Sequence, residues 1–186
     1  DDWPHLNIAT ELTALSDPTR PNFMQVPTTV ASINVIKYDT TEAADTNNEM
    51  TDITIYEDPN DFLELIYARN TGEANVTVFN TAETLPLWTL TDTAPTFCTS
   101  FDDDIIVFDA YNSAEDTTMQ QSKSLILGLR GDAWTEDASF VPSIPVNMFS
   151  MFVSKCKIVC NEIMRQVTLV SEKQDYKEAV NRMARK

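Results

Sequence analysis

The residues that could do chemistry are few. His5 is the only histidine of the 186-residue chain, and it lies beside Pro4 near one end. A nucleophilic site built on an imidazole base needs that ring near a serine or cysteine and an orienting acid, so Ser-His-Asp and Cys-His catalysis is disfavoured. Zinc and iron sites rich in histidine fall with it. Cys98 is isolated. Cys156 and Cys160 stand four apart, which puts them on one face of a helix but in poor geometry for bonding to each other. All three are expected as buried free thiols, packing as small hydrophobes. Glycines stand only at 72, 128 and 131, so neither a Walker loop nor a dinucleotide loop can be built. Gly128-Leu129-Arg130-Gly131 reads as a bulge or turn at a strand end. Acids are plentiful, with groups at Asp102-Asp103-Asp104, Glu115-Asp116 and Glu57-Asp58 with Asp61. Clustered carboxylates suit calcium, but no EF-hand spacing is present, and solvated acidic loops are expected. No metal and no cofactor is expected, and the chain reads as non-enzymatic.

Charge is distributed in two blocks. Up to Pro145 there are 25 Asp and Glu against five bases, a net of −20; from Val146 to Lys186 eight bases meet four acids, a net of +4. An acidic body repels phosphate backbones and anionic membranes at long range. Residues 1–145 are therefore not expected to contact nucleic acid. No run of 18 apolar residues occurs, so membrane insertion is not expected. The start at Asp1 predicts either a trimmed chain or proteolytic release.

These residues must be positioned by three segments. Residues 1–28 read as an extended, Pro-punctuated arm (Pro4, Pro18, Pro21, Pro27) with a short helix at Ala9–Leu15. Residues 29–145 alternate strand-like runs with turn residues. The runs are Val30–Tyr38, Ile53–Tyr56, Phe62–Arg69, Asn75–Phe79, Leu85–Leu90, Asp104–Tyr111 and Ser124–Arg130. The strongest hairpin signal is Asn70-Thr71-Gly72-Glu73, between the third and fourth runs. No helix of crossover length is evident, so the sheet is expected to be antiparallel. The expected fold is all-β, an antiparallel β-sandwich or jelly roll.

Residues 146–186 read as a helical tail. Phe149, Val153, Cys156, Cys160, Ile163, Val167 and Val170 repeat at alternating spacings of four and three, a heptad-like seam. A strand is the rival for 156–170, because of its β-branched content. Ser171-Glu172-Lys173-Gln174 offers a capping start for a second helix. Seven exposed apolar positions would form a large patch, so the seam is expected to meet protein. Lys173, Lys177, Arg182 and Arg185 are expected to face acidic surface rather than RNA. In the arm, Trp3, Leu6 and Phe23 are expected to bury on a neighbouring subunit, so that deleting the arm leaves a folded domain.

Two resemblances follow. Leu90-Thr91-Asp92-Thr93-Ala94 resembles the Asp-Thr-Gly-Ala neighbourhood of aspartic proteases, but with Ala94 where that family requires glycine. Across the whole chain, the arm, the β-sandwich with long acidic Thr- and Asn-rich loops, and the helical tail resemble in layout the capsid proteins of picorna-like RNA viruses. That resemblance implies a jelly roll released from a polyprotein and a structural subunit of a virion. It would assemble with identical copies or sister subunits through arm and tail. The scarcity of glycine, the acidity and the long terminal helix depart from that pattern. The alternative is a non-enzymatic acidic β-sandwich module for protein binding or adhesion, secreted or at a cell surface.

Overall fold

The computed structural model describes residues 6–42, 49–81, 85–131, 139, 144–164 and 170–183, without the side chains of 147, 170–172, 179, 182 and 183. Trp3, Val167 and Arg185 lie outside the described residues. Two compact units divide the chain, Asp1–Gly131 and Asp132–Lys186.

The first unit is mostly β. Its elements run β1 (Asn7–Thr10), β2 (Thr13–Ala14), β3 (Phe23–Gln25), β4 (Val30–Asp39), β5 (Met50–Tyr56), α1 (Pro59–Tyr67), β6 (Val76–Asn80), β7 (Pro86–Leu90), β8 (Phe97–Ser100), β9 (Ile105–Phe108) and β10 (Ser124–Arg130). Eight strands form one sheet in the order β1-β10-β4-β5-β8-β9-β3-β2, and β6 pairs with β7 apart from it. Strands β1 and β2 occupy opposite ends of that order, yet only Glu11 and Leu12 separate them in the chain. The sheet therefore curls until its two ends approach, with one short segment bordering both. Leu12, wholly buried, marks the crossing, and its amide donates to Ser124 Oγ at 2.9 Å.

This corrects the expected arm. Ala9–Leu15 is not a helix, because Asn7–Thr10 pairs with β10 and Thr13–Ala14 with β3. Phe23 is buried at 5% exposure within its own unit rather than offered to a neighbour, beside wholly buried Asn22 and Met24. Removing residues 1–27 would take away three strands and part of the core, so the deletion is now expected to unfold this unit.

The sheet is mixed, which corrects the antiparallel expectation. Thr54, Ile55 and Tyr56 of β5 run parallel to Phe97, Cys98 and Thr99 of β8. A parallel pair needs a long crossover, usually helical, and α1 supplies one between them. Phe62–Arg69 was expected as a strand; it is instead mostly α1, and the hairpin at Asn70–Glu73 is absent. Asp58 is the N-cap, accepting the Asn60 amide at 2.9 Å, and Pro59 opens the first turn. Phe62 and Ile66, one turn apart, are both buried.

Two clusters fill the unit. Leu12, Met24, Ile36, Tyr38, Ile53, Cys98, Ile106, Phe108, Met119 and Ile126 fill the curl. On the other face of β3 and β9, Phe23 and Val107 meet Phe62 and Ile66 of α1 and Leu87 of β7. Strand β9 is thus buried on both faces, as its unbroken apolar run Ile105–Phe108 predicts.

The Gly128 segment is a bulge, as expected. Pairing slips between Leu127 and Gly128 and again before Arg130, leaving Asn34 and Ala31 as the extra residues on β4. A Cβ on Gly128 would stand 2.1 Å from the Ser32 carbonyl oxygen. Gly128→Ala must therefore push β4 from β10, at a cost of about 1–3 kcal/mol. The expected result is a lower urea midpoint with an unchanged slope; an unchanged midpoint would show that the strands part without cost.

The second unit contains α2 (Val146–Met164) and α3 (Val170–Met183). They run antiparallel: the Lys155 ammonium lies 5.2 Å from the Tyr176 ring centre, and Glu162 pairs with Lys173 at 2.5 Å. Helix therefore prevails over strand for residues 156–164. Val170 opens α3, so the seam does not continue to it along one helix.

Candidate functional site

Two arrangements in the first unit could bind or react. The first is the Arg69–Asp109 pair. Arg69 follows α1, and Asp109 follows β9. The guanidinium donates to the Trp88 carbonyl at 2.9 Å, to the Asp109 carbonyl at 2.6 Å and to Asp109 Oδ2 at 2.6 Å. Asp109 Oδ1 accepts the amides of Thr96 and Phe97, each at 2.9 Å, while Oδ2 also accepts the Thr96 hydroxyl at 3.3 Å. Each carboxylate oxygen has two donors, and the Asp109 side chain is 2% exposed. A carboxylate so filled has no lone pair facing a substrate. The pair ties α1, β7, β8 and β9 together. Nearby, Asn22 Nδ2 donates to Thr89 Oγ1 at 3.2 Å and to the Phe108 carbonyl at 2.5 Å, while its buried Oδ1 has no partner.

The second arrangement is a pair of clefts. One, with room for little more than a water molecule, is lined by Tyr38, Asp39, Thr41, Tyr111, Asp116 and Lys123 among others. Its charges are Asp39, Glu115 and Asp116 with Lys123. Lys123 pairs with Asp116 at 3.3 Å, and the Thr41 hydroxyl and amide hold the Asp39 carboxyl below its ordinary range. Burial is the main cause raising the Tyr38 and Tyr111 hydroxyls above theirs. The other cleft, of about 180 Å³, is more apolar: Phe23, Leu85, Phe101, Ile105 and Val107 line it with Arg20 and Asp102. Arg20 is held by Asp17 at 3.1 Å and lies 5.9 Å from the Phe23 ring centre.

Three acids of these groups accept local hydrogen bonds. Asp58 caps α1, Asp102 accepts the amides of Asp104 and Ile105, and Asp116 accepts the Gln120 side-chain amide. Among the described residues no three His, Cys, Asp or Glu side chains converge as metal ligands would. No described helix is long and apolar enough to cross a membrane.

In the second unit, the expected seam residues on α2 stand on a common side. Phe149 is 53% and Ile163 74% exposed, and Val153 is half-buried; Cys156 and Cys160 are exposed, which corrects the expectation of buried thiols and leaves it standing for Cys98 alone. Val146, at 92%, and Met164, at 81%, extend this row at its two ends. The side turned to α3 carries Lys155, Glu162 and the buried Ile158. The row thus points away from α3. Leu6 is half-buried ahead of β1, Lys177 is exposed on α3, Lys173 meets Glu162 of its own hairpin, and the Arg182 side chain is not described. The Val146 and Met164 extension, the apolar cleft and the Arg69–Asp109 tie were not read from sequence. Met164 follows Ile163 directly and could have been added to the row; Arg69 and Asp109, forty positions apart, carry no local signal.

No family model, curated protein or solved structure matches the chain.

Proposed function

We propose that the chain is a non-enzymatic structural subunit of an assembled particle, of viral capsid kind and located in the virion, which meets identical copies or sister subunits through α2. The observation that carries this reading is the uncovered apolar row from Val146 to Met164 on a helix whose opposite side is already occupied. Apolar surface of that extent marks a protein contact more often than solvent-facing helix. The excess of acids over bases up to Pro145 favours protein contact over RNA there. On this reading the curled sheet is a variant of the capsid sandwich, with the parallel β5–β8 pair where a jelly roll has antiparallel neighbours.

A second reading, a protein-binding or adhesion module, is favoured by the apolar cleft between Arg20 and Asp102. Sizing of the full chain by light scattering at physiological salt separates the two. Concentration-dependent assembly supports the first reading, and a monomer at every concentration the second.

A further inference from the structure

We infer that β6 is a docking edge: it takes, as a third strand beside the β6–β7 hairpin, an extended segment of a partner protein that carries Lys or Arg at its ends. This goes beyond the α2 reading and does not depend on it.

The backbone of β6 carries the inference. The Thr91 amide donates to the Asn75 carbonyl at 2.8 Å and the Thr81 amide to the Leu85 carbonyl at 2.9 Å, at the two ends of a ladder that pairs Val76 with Leu90 and Asn80 with Pro86. Hydrogen-bonded pairs alternate along an antiparallel ladder, so Asn75, Thr77, Phe79 and Thr81 direct their backbone groups to β7. Those of Val76, Val78 and Asn80 point the other way. The Val76 amide turns back to the Glu73 carbonyl at 3.2 Å. The Val76 carbonyl and both backbone groups of Val78 and Asn80 have no partner among the described residues. Val78 is 46% exposed and Asn80 is exposed, so this edge is open to solvent.

Open edges are commonly blunted by Lys, Pro or a bulge. Strand β6 has none of these: Val76-Thr77-Val78-Phe79-Asn80 is uncharged, and its register is unbroken. Free N–H and C=O groups at strand spacing are matched by another extended backbone, which makes the occupant a peptide segment rather than a helix or a small molecule. Charge selects among such segments. Exposed Glu73 and Asp92 stand at the base of the hairpin, and Asp102 lines the cleft at its tip with Thr81 and Leu85. Arg20 lines that cleft too but is paired with Asp17. A second copy pairing antiparallel on β6 would bring its own Glu73 to the Asp102 end, between chains of net charge −16 each; like charges so placed oppose it. A segment with cations flanking its strand residues meets acid at both ends.

The test uses the full chain and a phage-displayed library of random octapeptides, selected at physiological salt, with the winners made as free peptides. The expected winners combine β-branched residues with Lys or Arg at their ends. Their binding should slow hydrogen exchange of the Val78 and Asn80 amides at least tenfold by NMR, and leave those of Thr77 and Phe79, already held by β7, as they were. Winners methylated on alternate backbone nitrogens, made in both phases, should lose binding in one phase and keep it in the other. Val78→Pro removes an edge amide without touching the β7 ladder and should abolish binding while Thr77 and Phe79 stay protected. Asn80→Lys, at an exposed position, should weaken binding at least tenfold by setting a like cation on the edge. Binding that survives both variants, or that protects no β6 amide, overturns the edge as the site. Winners with acidic or uncharged ends overturn the charge assignment, and a library that yields no binder overturns the inference outright. Protection of Val78 in the chain alone, growing with concentration, would place a second copy on the edge and overturn the basic partner.

Discussion

Asp109→Ala is expected to lower the unfolding free energy of the β unit by about 3–5 kcal/mol, the usual cost of breaking a buried ion pair from one side. The substitution strands the Arg69 guanidinium, itself only 13% exposed, and frees the amides of Thr96 and Phe97. A domain has about 5–15 kcal/mol in total, so the variant should be marginal at room temperature. Urea denaturation measures the loss. Native-state hydrogen exchange should also show α1 and the β6–β7 hairpin opening ahead of β4 and β10, because the pair ties the former to the sheet. A loss below about 1 kcal/mol would mean that the carboxylate contributes no more than a surface charge. Arg69→Lys should fall short of full stability as well, since one ammonium cannot reach Trp88 and both Asp109 acceptors in the fork geometry used here.

The second large effect is alkaline. Burial is the principal cause raising the Cys98 thiol from 9.0 to about 12. In the unfolded chain the thiol ionises near its ordinary value, whereas in the folded chain it keeps its proton. The stabilisation is therefore complete below pH 9 and is lost as pH rises from 9 towards 12, by about 4 kcal/mol across that window. Tyr38, also raised chiefly by burial, adds a loss of the same sign above pH 10. Stability measured by denaturant between pH 8 and pH 11 should fall steeply for the wild type, and Cys98→Ala should flatten the slope at some cost in stability near neutral pH. An equal slope in both proteins would show that Cys98 does not set it. At the acid end the sign reverses. The Asp39 carboxyl, held low by Thr41, contributes above its ordinary value near 3.8 and loses that contribution as pH falls below it.

Strand positions were legible where periodicity and burial agree. Ile105–Phe108 and Val30–Asp39 declare themselves by apolar β-branched runs, Ser124–Arg130 by an apolar run ended at Gly131-Asp132, and α2 by its four-three spacing. The segment Pro59–Tyr67 was not read as a helix because Leu63, Leu65 and Ile66 look alike at periods of two and 3.6 residues. Its deciding signal lay upstream, in Asp58-Pro59 as cap and first turn. Once that helix was missed, the parallel β5–β8 pair could not be foreseen, because the crossover that permits it was hidden. The arm misled for a different reason. Pro18, Pro21 and Pro27 do exclude helix around them, but strands as short as Thr13–Ala14 and Phe23–Gln25 fit between prolines. Only the closure of the sheet explains why Leu12 is buried, and only the packing of α1 and β7 on its outer face explains Phe23. The α2 row was visible in the sequence as a seam. That α3 covers the other side of α2, leaving the row open, required three-dimensional pairing.

The central claim is that α2 makes the chain an assembling subunit. Sedimentation velocity of the full chain over a wide concentration range, beside the Phe149→Ser, Ile163→Lys double variant, tests it most directly. The account predicts a wild type that grows in mass with concentration and a double variant that remains monomeric and equally folded. A monomeric wild type, or a double variant that assembles as the wild type does, would contradict it.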